Sequence, residues 1–483
     1  MRILLVAWDN QSQLHLFPMS LGAIAAVLVK AGHEVEVYNQ DMHHYPDAHL
    51  TKYLDDDTFD FIAVSVIAGY YEFSRLLKIS NAINHSSNRP IYLLGGYGPS
   101  PEPEYFLKRT GADAVCIGEG DITIIEMINA FSNNKPLSSV LGIAYMDGNE
   151  FKLNPRRPLV EDLESLPRIP YELFPMEYYR LNGSLGSGPT DFAMPLMSGR
   201  GCTFRCTFCY RIDTGYRARN PKSLADEIEH LYREYNINFI SFQDDLLMTS
   251  VSATEAICQE LIKLRQKGID IHWNCNGRLN YCTRELLELM KQAGCTFINY
   301  GIEAMDNEVL KNMKKGLRTD QVVNGIEMTL DIGISPGLNF MFGNIGDNRT
   351  TIKKAVDFLV KYDDFTRLGT IRPVTPYPGS PLYYDAIKKG LLKDAADFYE
   401  NKHLNSDLLC VNFTELSDDE VYECLRDANL VILDNHLAAS RERTAKVIDK
   451  LYLEKDASFR GFRGGPKAPV KHSQTATAPA VSG

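Results

Sequence analysis

Three cysteines lie close together in residues 201–210, which read Gly-Cys-Thr-Phe-Arg-Cys-Thr-Phe-Cys-Tyr. Cys202, Cys206 and Cys209 have the spacing C-x3-C-x2-C, so one compact loop can supply all three thiolates. Cysteine thiolates hold iron–sulfur clusters, and a cubane cluster has four irons, so three thiolates would leave one iron open. An open iron can chelate a small molecule and pass an electron to it. The spacing therefore favours a cluster with one vacant coordination site.

Two simpler explanations of these cysteines remain, a zinc knuckle and chance. Zinc would need a fourth ligand, and neither a histidine nor a cysteine follows within the next several residues. A disulfide scaffold is disfavoured because nothing in the sequence indicates secretion.

The cysteine segment resembles the loop of radical S-adenosylmethionine (radical SAM) enzymes, including the leading Arg200-Gly201 and the aromatic Phe208 before the last cysteine. The resemblance implies that the three cysteines bind a [4Fe-4S] cluster whose open iron chelates S-adenosylmethionine. One electron then splits a carbon–sulfur bond and yields a deoxyadenosyl radical. Tyr210 follows the last cysteine, where it can pack against adenine or shield the cluster. No catalytic residue is assigned beyond the cluster ligands.

The length and composition of the chain limit the classes of protein to which it can belong. The 483 residues suggest two or three domains. The formal net charge of −11 disfavours a protein that coats nucleic acid. The first eight residues are too short for the apolar core of a signal peptide and are typical of a strand. No run of about 18 apolar residues occurs, so we expect no membrane span and a reducing cytoplasmic location.

Residues 1–150 alternate short apolar runs with helical stretches, which predicts an α/β domain with a doubly wound parallel sheet of the Rossmann/flavodoxin-like type. The predicted strands are residues 2–8, 33–38, 61–67, 91–94 and 114–117. No G-x-G-x-x-G motif follows the first strand, so a dinucleotide site is not predicted.

Small and polar residues follow the third, fourth and fifth predicted strands. Parallel sheets bind ligands at the carboxyl ends of their strands, and glycines there allow close approach of the backbone. Ordinary tight turns are the alternative explanation. The candidate ligand-binding residues are Ser65, Gly95, Gly96, Tyr97, Gly118, Glu119 and Gly120.

With the cysteine loop downstream, this domain resembles the cobalamin-binding domain of one radical SAM branch, and the resemblance implies that these seven residues contact cobalamin. Many such domains carry D-x-H-x-x-G after the first strand, with the histidine on cobalt. Here residues 9–15 lack that spacing. We therefore expect no histidine as the lower cobalt ligand, with His15 and His43 on the surface.

Prolines are dense in residues 151–190, which predicts a linker. In residues 191–390, six strand–helix units predict a partial (β/α)6 barrel of the TIM type, in which catalytic groups lie at the carboxyl ends of strands. Residues 391–455 are predicted to form a C-terminal helical region, and residues 456–483 a disordered tail.

Polar residues and glycines recur at the predicted strand ends of the barrel. They could be structural: Asp244 and Asp245 could cap a helix, and Arg278 and Glu303 could form a buried ion pair. The resemblance instead implies contacts with S-adenosylmethionine, although many family members have Gly-Gly-Glu after the second strand and this chain does not. The candidates at strand ends are Gln243, Asp244, Asp245, Arg278, Glu303 and Gly343. Cys275 is a further strand-end residue expected to face the site.

The resemblance implies a cobalamin-dependent radical SAM enzyme, with C-methyl transfer to an unactivated carbon through methylcobalamin as the leading hypothesis. An alternative keeps the same cofactors but performs cyclisation or oxidative rearrangement, as anaerobic magnesium-protoporphyrin monomethyl ester cyclases do. A third hypothesis is a cobalamin- or redox-sensing binding protein. The expected partners are a small-molecule or peptide substrate and a flavodoxin- or ferredoxin-like electron donor, with no nucleic acid.

Overall fold

The computed structural model describes residues 1–10, 17–67, 69–211 and 215–459. His15 lies outside the described residues, as does most of the segment expected to form a disordered tail. None of the helices in the described residues combines the length and apolar character of a membrane span.

Within the described residues, the first sheet has seven strands in the order β2-β1-β3-β4-β5-β6-β7. The first five are parallel, and their order is that of flavodoxin-like folds. The strand bounds are β1 Arg2–Ala7, β2 Glu34–Asn39, β3 Phe61–Ser65, β4 Ile91–Gly95, β5 Ala114–Cys116, β6 Ile143–Asp147 and β7 Glu150–Leu153. The predicted doubly wound sheet is confirmed, and its topological switch point lies between β1 and β3.

The helices of this domain cover both faces of the sheet, which is why its central strands are apolar on both sides. They are α1 Met19–Lys30, α2 Gln40–His43, α3 Asp47–Asp56, α4 Tyr70–Asn84, α5 Pro103–Thr110 and α6 Gly120–Ser132. In β1, Ile3 and Leu5 pack on one side, and Leu4 and Val6 on the other. Full burial of each such side chain contributes about 1.5–3 kcal/mol.

A β-hairpin that was not predicted extends the sheet past the fifth strand. Strands β6 and β7 are antiparallel, and β6 pairs antiparallel with β5. The turn contains Gly148 with φ of 61°. The first sheet therefore ends at Leu153.

The second sheet, within the described residues, has six parallel strands in the order β15-β14-β13-β12-β11-β8. Their bounds are β8 Ala193–Leu196, β11 Phe239–Phe242, β12 His272–Gly277, β13 Cys295–Glu303, β14 Ser335–Phe342 and β15 Ile371–Pro373. A separate hairpin, β9 Gly199–Cys202 and β10 Gly215–Ala218, follows β8. These strands match the six predicted for a partial barrel.

The remaining helices include those that surround the barrel and a long C-terminal helix. They are α7 Met176–Tyr179, α8 Pro221–Tyr235, α9 Val251–Gln266, α10 Arg284–Gln292, α11 Asn307–Asn312, α12 Thr319–Ile332, α13 Arg349–Tyr362, α14 Pro381–Lys388 and α15 Asp418–Ile448. The sequence predicted that the helix capped by Ser417 would end near Asp434, with a second piece following. Instead α15 is continuous over 31 residues and packs on α13 and β15.

Candidate active site between the two sheets

The cysteine loop begins on the β9–β10 hairpin, directly after the first barrel strand. Cys202 pairs with Gly215 across this hairpin. Gly201 has φ of 87°, and a Cβ at this position would lie 2.4 Å from the Gly215 carbonyl oxygen. A glycine is therefore required before the first cysteine, which explains part of the motif recognised in the sequence.

The three thiols share one recess. Cys206 is buried, whereas Cys209 borders open space. Protein atoms crowded around the Cys209 thiol desolvate it and raise its pKa to about 12, and the nearby Cys206, Asp245 and Cys202 raise it further. Bound metal reverses this tendency, since a coordinating thiol is deprotonated outright.

The donor set fits an iron–sulfur cluster. Within the described residues, no three histidine, cysteine, aspartate or glutamate side chains converge on a single metal ion. A cubane cluster does not require such convergence, because each thiolate binds its own iron. Two backbone hydrogen bonds hold the loop in place: the Thr207 N–H donates to Met313 (2.9 Å), and the Leu382 N–H donates to Thr207 (2.9 Å).

Arg278 lies against the cysteine loop, as a residue at the end of β12. Its guanidinium is 3.4 Å from the centroid of the Phe204 ring and donates to the Cys206 sulfur at 3.7 Å. It also donates to the backbone carbonyl of Lys315. These contacts hold the Arg278 guanidinium between the Cys206 sulfur and the Lys315 carbonyl.

Glu303 pairs with Lys315, not with Arg278 as the structural alternative held. The Lys315 Nζ to Glu303 Oε1 distance is 2.9 Å, and both side chains are buried. Glu303 has φ of 72°, and the strand register shifts between Gly301 and Glu303. A Cβ on Gly301 would lie 2.4 Å from Glu303 Oε1, so this glycine leaves room for the pair. The Lys315 ammonium faces the Phe208 ring, 5.6 Å from its centroid, so the pair borders the cysteine loop.

The three polar residues after β11 have different environments. Gln243 and Asp245 are exposed, whereas Asp244 is fully buried. Asp244 accepts hydrogen bonds from the Ser198 N–H (3.0 Å) and hydroxyl (2.8 Å), so it fixes the start of the hairpin that carries Cys202. Protein atoms around the Asp245 carboxylate desolvate it and raise its pKa, and the charge of Arg211 partly offsets this. Gln243 and Asp245 thus remain available to a ligand, and Asp244 supports the loop.

Burial raises the pKa of Asp244 to about 6. Asp244 therefore binds its proton more tightly in the folded state than in the unfolded state. The free energy of unfolding falls as pH rises from the pKa of Asp244 in the unfolded state to its pKa in the folded state. We expect the wild type to lose about 2 kcal/mol of unfolding free energy between about pH 4 and pH 7, relative to Asp244→Asn. Denaturant unfolding of both proteins at each pH checks this, and a constant difference would show that Asp244 does not titrate there.

Gly343 ends β14 with φ of 96° and opens a turn closed by Asp347. The Asn344 N–H donates to the Asp347 carboxylate at 2.9 Å. Gly343 thus shapes the loop after β14, and its expected contact with S-adenosylmethionine stays a prediction.

Cys275 does not face the site. It is 1% exposed and belongs to the core between the barrel strands and their helices. Its neighbours Asn274 and Asn276 point to the other side of β12, because side chains alternate along a strand. The expectation that Cys275 faces the site was wrong, because the residues of β12 that face it are the neighbours of Cys275.

Asparagine side chains form a hydrogen-bonded row across the barrel interior. Asn339 donates to Asn299 (2.7 Å), Asn299 donates to Asn276 (3.0 Å), and Asn276 donates to the Asp244 carbonyl (2.8 Å). The row was not predicted, although Asn276 lies two residues before Arg278 at the same predicted strand end. The row fixes the orientation of these amide groups inside the barrel.

A cavity of about 420 Å³ lies beside this row. Its lining includes Phe208 of the cysteine loop, Asn299, Glu303, Asn339 and Thr375. This volume is within the range of small-molecule sites. The cavity therefore brings a cysteine-loop residue and the Glu303 carboxylate together around one space.

The loops at the carboxyl edge of the first sheet face the cysteine loop. The rings of Tyr97 and Tyr210 meet edge to face, with centroids 5.6 Å apart. Gly379, with φ of 90°, touches both domains: a Cβ there would lie 2.4 Å from the Tyr210 ring and 2.9 Å from Pro101. Burial raises the pKa of Tyr97, and Asp245 raises it further. The two loops expected to bind different cofactors are therefore in contact.

The other candidate residues of the first domain lie along the same edge. Gly96 has φ of 104°, and a Cβ there would lie 2.3 Å from the Val66 carbonyl oxygen. Ser65 and Gly95 are paired at the ends of β3 and β4. Ile67, just beyond Ser65, is exposed at the carboxyl end of β3.

The loop after β5 holds the remaining candidates. The Gly118 N–H donates to the Ser100 hydroxyl at 3.2 Å. A Cβ on Gly120 would lie 2.8 Å from the Ile24 side chain, so this glycine allows α6 to pack on α1. The Glu119 carboxylate accepts two hydrogen bonds from Arg217 of β10 (2.6 and 3.0 Å). Contact of these residues with cobalamin stays a prediction.

Histidines near the first two strands are engaged with protein groups. His43 stacks on Tyr45, with ring centroids 4.8 Å apart. His44 is 3.2 Å from Asp9, which follows β1. The structure describes no residue of the loop 11–16, where the absent D-x-H-x-x-G motif would have placed its histidine.

Residues 10–128 match the family model of the B12 binding domain, and residues 196–359 match that of the radical SAM superfamily. The first match covers most of the flavodoxin-like sheet. The second begins at the end of β8, contains all three cysteines of the loop and runs to α13.

Two curated relatives and one solved structure are similar over much of the chain. An uncharacterized methyltransferase of Pyrococcus horikoshii is 28% identical, covering 81% of this chain and 84% of that protein. The anaerobic magnesium-protoporphyrin IX monomethyl ester cyclase of Rubrivivax gelatinosus is 25% identical, covering 66% of this chain and 57% of that protein.

The solved structure is the radical SAM methyltransferase TsrM of Kitasatospora setae, with cobalamin and a [4Fe-4S] cluster bound. It superposes with a TM-score of 0.73 at 18% identity and covers 88% of this chain and 90% of that chain. This likeness shows that the two-domain fold is shared. The two family matches, one on each sheet, show that this chain combines a B12 binding domain with a radical SAM domain.

Proposed function

We propose that this enzyme transfers a methyl group from S-adenosylmethionine to an unactivated carbon of a small molecule. The observation that carries the proposal is the contact between Tyr97 and Tyr210, which joins the cobalamin-side loops to the cysteine loop. Methyl transfer needs reacting groups at near-contact distance, so the two domains must be packed together. The Pyrococcus relative, which matches over most of both chains, is also named as a methyltransferase.

Each cofactor has candidate residues in this chain. Cys202, Cys206 and Cys209 would hold the [4Fe-4S] cluster. When bound, the cluster and S-adenosylmethionine supply a deoxyadenosyl radical that takes hydrogen from a carbon, and cobalamin supplies the methyl group. Polar groups at the barrel edge, with Tyr210, would orient S-adenosylmethionine; they are Gln243, Asp245, Arg278, Glu303 and Gly343. Ser65, Gly95, Gly96, Tyr97, Gly118, Glu119 and Gly120 would line the corrin.

The substrate would occupy the cavity beside the asparagine row. Its volume of about 420 Å³ suits a small molecule better than a folded peptide segment. Asn299 and Asn339 would orient polar groups of the substrate, and Phe208 would exclude water on the side of the cluster. The proposal includes a low-potential flavodoxin- or ferredoxin-like electron donor and a reducing cytoplasm, because an iron–sulfur cluster with an open iron requires both.

Product mass tests the proposal. The anaerobically reconstituted, reduced protein is incubated with S-adenosylmethionine labelled in its methyl group and with a small-molecule extract. We expect one extract component to gain a labelled methyl group, that is, one methylene unit in mass. The wild type without reductant is the control. Loss of hydrogen or gain of oxygen without label would instead indicate cyclisation or rearrangement.

The second candidate function is that cyclisation or oxidative rearrangement. It is favoured by the similarity to the Rubrivivax cyclase, which spans parts of both domains. The alignment covers only 57% of that protein, compared with 84% of the Pyrococcus methyltransferase, and for this reason methyl transfer is preferred.

A further inference from the structure

Four charged side chains join the loop after β5 to the hairpin that begins the cysteine loop. We propose that Glu119 and Asp121, through Arg200 and Arg217, are positioning residues that hold the B12-binding domain in register with the cluster loop. The inference rests on the proposed function in assuming that both cofactors act at one site. Glu119 would then have a role in aligning the domains, in addition to its expected contact with cobalamin.

The group consists of two bidentate arginine–carboxylate pairs. Arg200 binds Asp121 through two hydrogen bonds of 2.7 and 3.0 Å. Arg217 binds Glu119 through two of 2.6 and 3.0 Å, and Arg200 lies 3.5 Å from Glu119. Bidentate guanidinium–carboxylate pairs restrict orientation as well as distance. Two such pairs, joined at Glu119, therefore resist rotation of one domain against the other.

The four side chains are more buried than those of ordinary surface ion pairs. The side chains of Asp121 and Glu119 are 5% and 15% exposed, and those of Arg200 and Arg217 are 22% and 17% exposed. Charges in such a position are screened by salt much less than surface charges. Loss of one partner would leave its counterpart partly buried and uncompensated, so the group favours a single arrangement.

The placement of the two arginines gives the group its functional meaning. Arg200 and Arg217 are cross-strand partners in the β9–β10 hairpin, and Arg200 is separated from Cys202 by one glycine. The acidic partners lie at the start of α6, where the helix dipole favours negative charge. A shift of α6 would therefore act directly on the strand that presents the first cluster ligand.

Glu119 also binds the connection between the domains. The Val160 N–H lies 3.4 Å from Glu119 Oε2, and Arg217 donates to the Val160 carbonyl at 2.6 Å. Three segments that are distant in sequence thus meet at one carboxylate. The other contact described above between the cofactor loops, Tyr97 against Tyr210, is aromatic and has no bidentate geometry.

The test measures the separation of the two cofactors by pulsed dipolar electron paramagnetic resonance, with cobalamin in its paramagnetic Co(II) form and the cluster reduced. The variants are Asp121→Asn, Glu119→Gln and the double variant. The matched control is Asp226→Asn, which removes an exposed ion pair with Lys222. Iron and cobalamin contents are measured on every sample.

We expect a narrow distance distribution in the wild type and the control. We expect a broader one in Asp121→Asn, with both cofactors bound, and in those molecules of the double variant that retain both cofactors. Each single variant removes one bidentate pair and should broaden the distance distribution less than the double variant does. The single variants therefore test the proposal even if the double variant does not fold. An unchanged distribution would overturn the proposal. Loss of cobalamin with an intact cluster in Asp121→Asn would also overturn it, because Asp121 would then be a cobalamin-binding residue. The measurement needs no methyl transfer, so it is independent of the proposed reaction.

Discussion

Replacing Cys206 with alanine will abolish iron binding while leaving the protein folded. Cys206 is one of three thiolates available to the cluster, and it is the one that Arg278 contacts. Loss of one ligand leaves two thiolates, which are too few to hold a cluster that already lacks a fourth. After anaerobic reconstitution, iron and sulfide contents should fall close to zero, and the visible absorbance of the cluster should disappear.

The matched control for this substitution is Cys424→Ala. Cys424 is buried on α15, far along the chain from the cysteine loop, and belongs to the hydrophobic core. This variant should bind iron like the wild type, because it removes a thiol that has no role in the cluster. Full iron content in Cys206→Ala would contradict the assignment of the loop.

Replacing Lys315 with methionine will destabilise the protein by about 3–5 kcal/mol, because it leaves the Glu303 carboxylate buried without its cation. The side chains of Lys315 and Glu303 are only 6% and 10% exposed, so water cannot take over the role of the ammonium. The left-handed backbone of Glu303 fixes its carboxylate in place and limits escape to solvent. Denaturant unfolding of both proteins measures the difference.

Two further variants separate the ion pair from the loss of a long side chain. Adding Glu303→Gln to Lys315→Met removes the uncompensated charge and should restore most of the lost stability. Lys353→Met removes the cation of an exposed pair with Asp357 and should have no measurable effect. A double variant no more stable than Lys315→Met would show that the carboxylate is not the source of the cost.

The architecture was largely predictable because its signals are local. Apolar runs such as Ile3–Val6 and the glycines at strand ends mark each strand and its carboxyl end without reference to distant residues. The hairpin β6–β7 was missed although Asp147-Gly148 is a known turn signal between two strand-like runs. The hairpin follows a strand directly, without an intervening helix, so the strand–helix alternation does not predict it.

The cysteine loop was also recognisable from the sequence, because its three cysteines lie within eight residues. That these cysteines bind the cluster stays a prediction. The pairing of charged side chains could not be predicted from the sequence. The structural alternative paired Glu303 with Arg278, whereas the bulge between Gly301 and Glu303 turns the carboxylate toward Lys315. Such a register shift changes the direction of a side chain and has no signature in spacing.

Contacts between domains were the least predictable part. The partners Asp121 and Arg200 are 79 residues apart, and Glu119 and Arg217 are 98 residues apart. One sequence gives no information about which of its many charged residues meet over such separations. The same reason applies to Tyr97 and Tyr210, which were each singled out, but for different cofactors.

The most direct test of the central claim is the formation of 5′-deoxyadenosine by the reduced, reconstituted protein with S-adenosylmethionine. The claim is that Cys202, Cys206 and Cys209 leave one iron free to bind and cleave this molecule next to the cobalamin domain. The account predicts deoxyadenosine from the wild type and none from Cys206→Ala. A wild-type protein with a full complement of iron that yields no deoxyadenosine would contradict it.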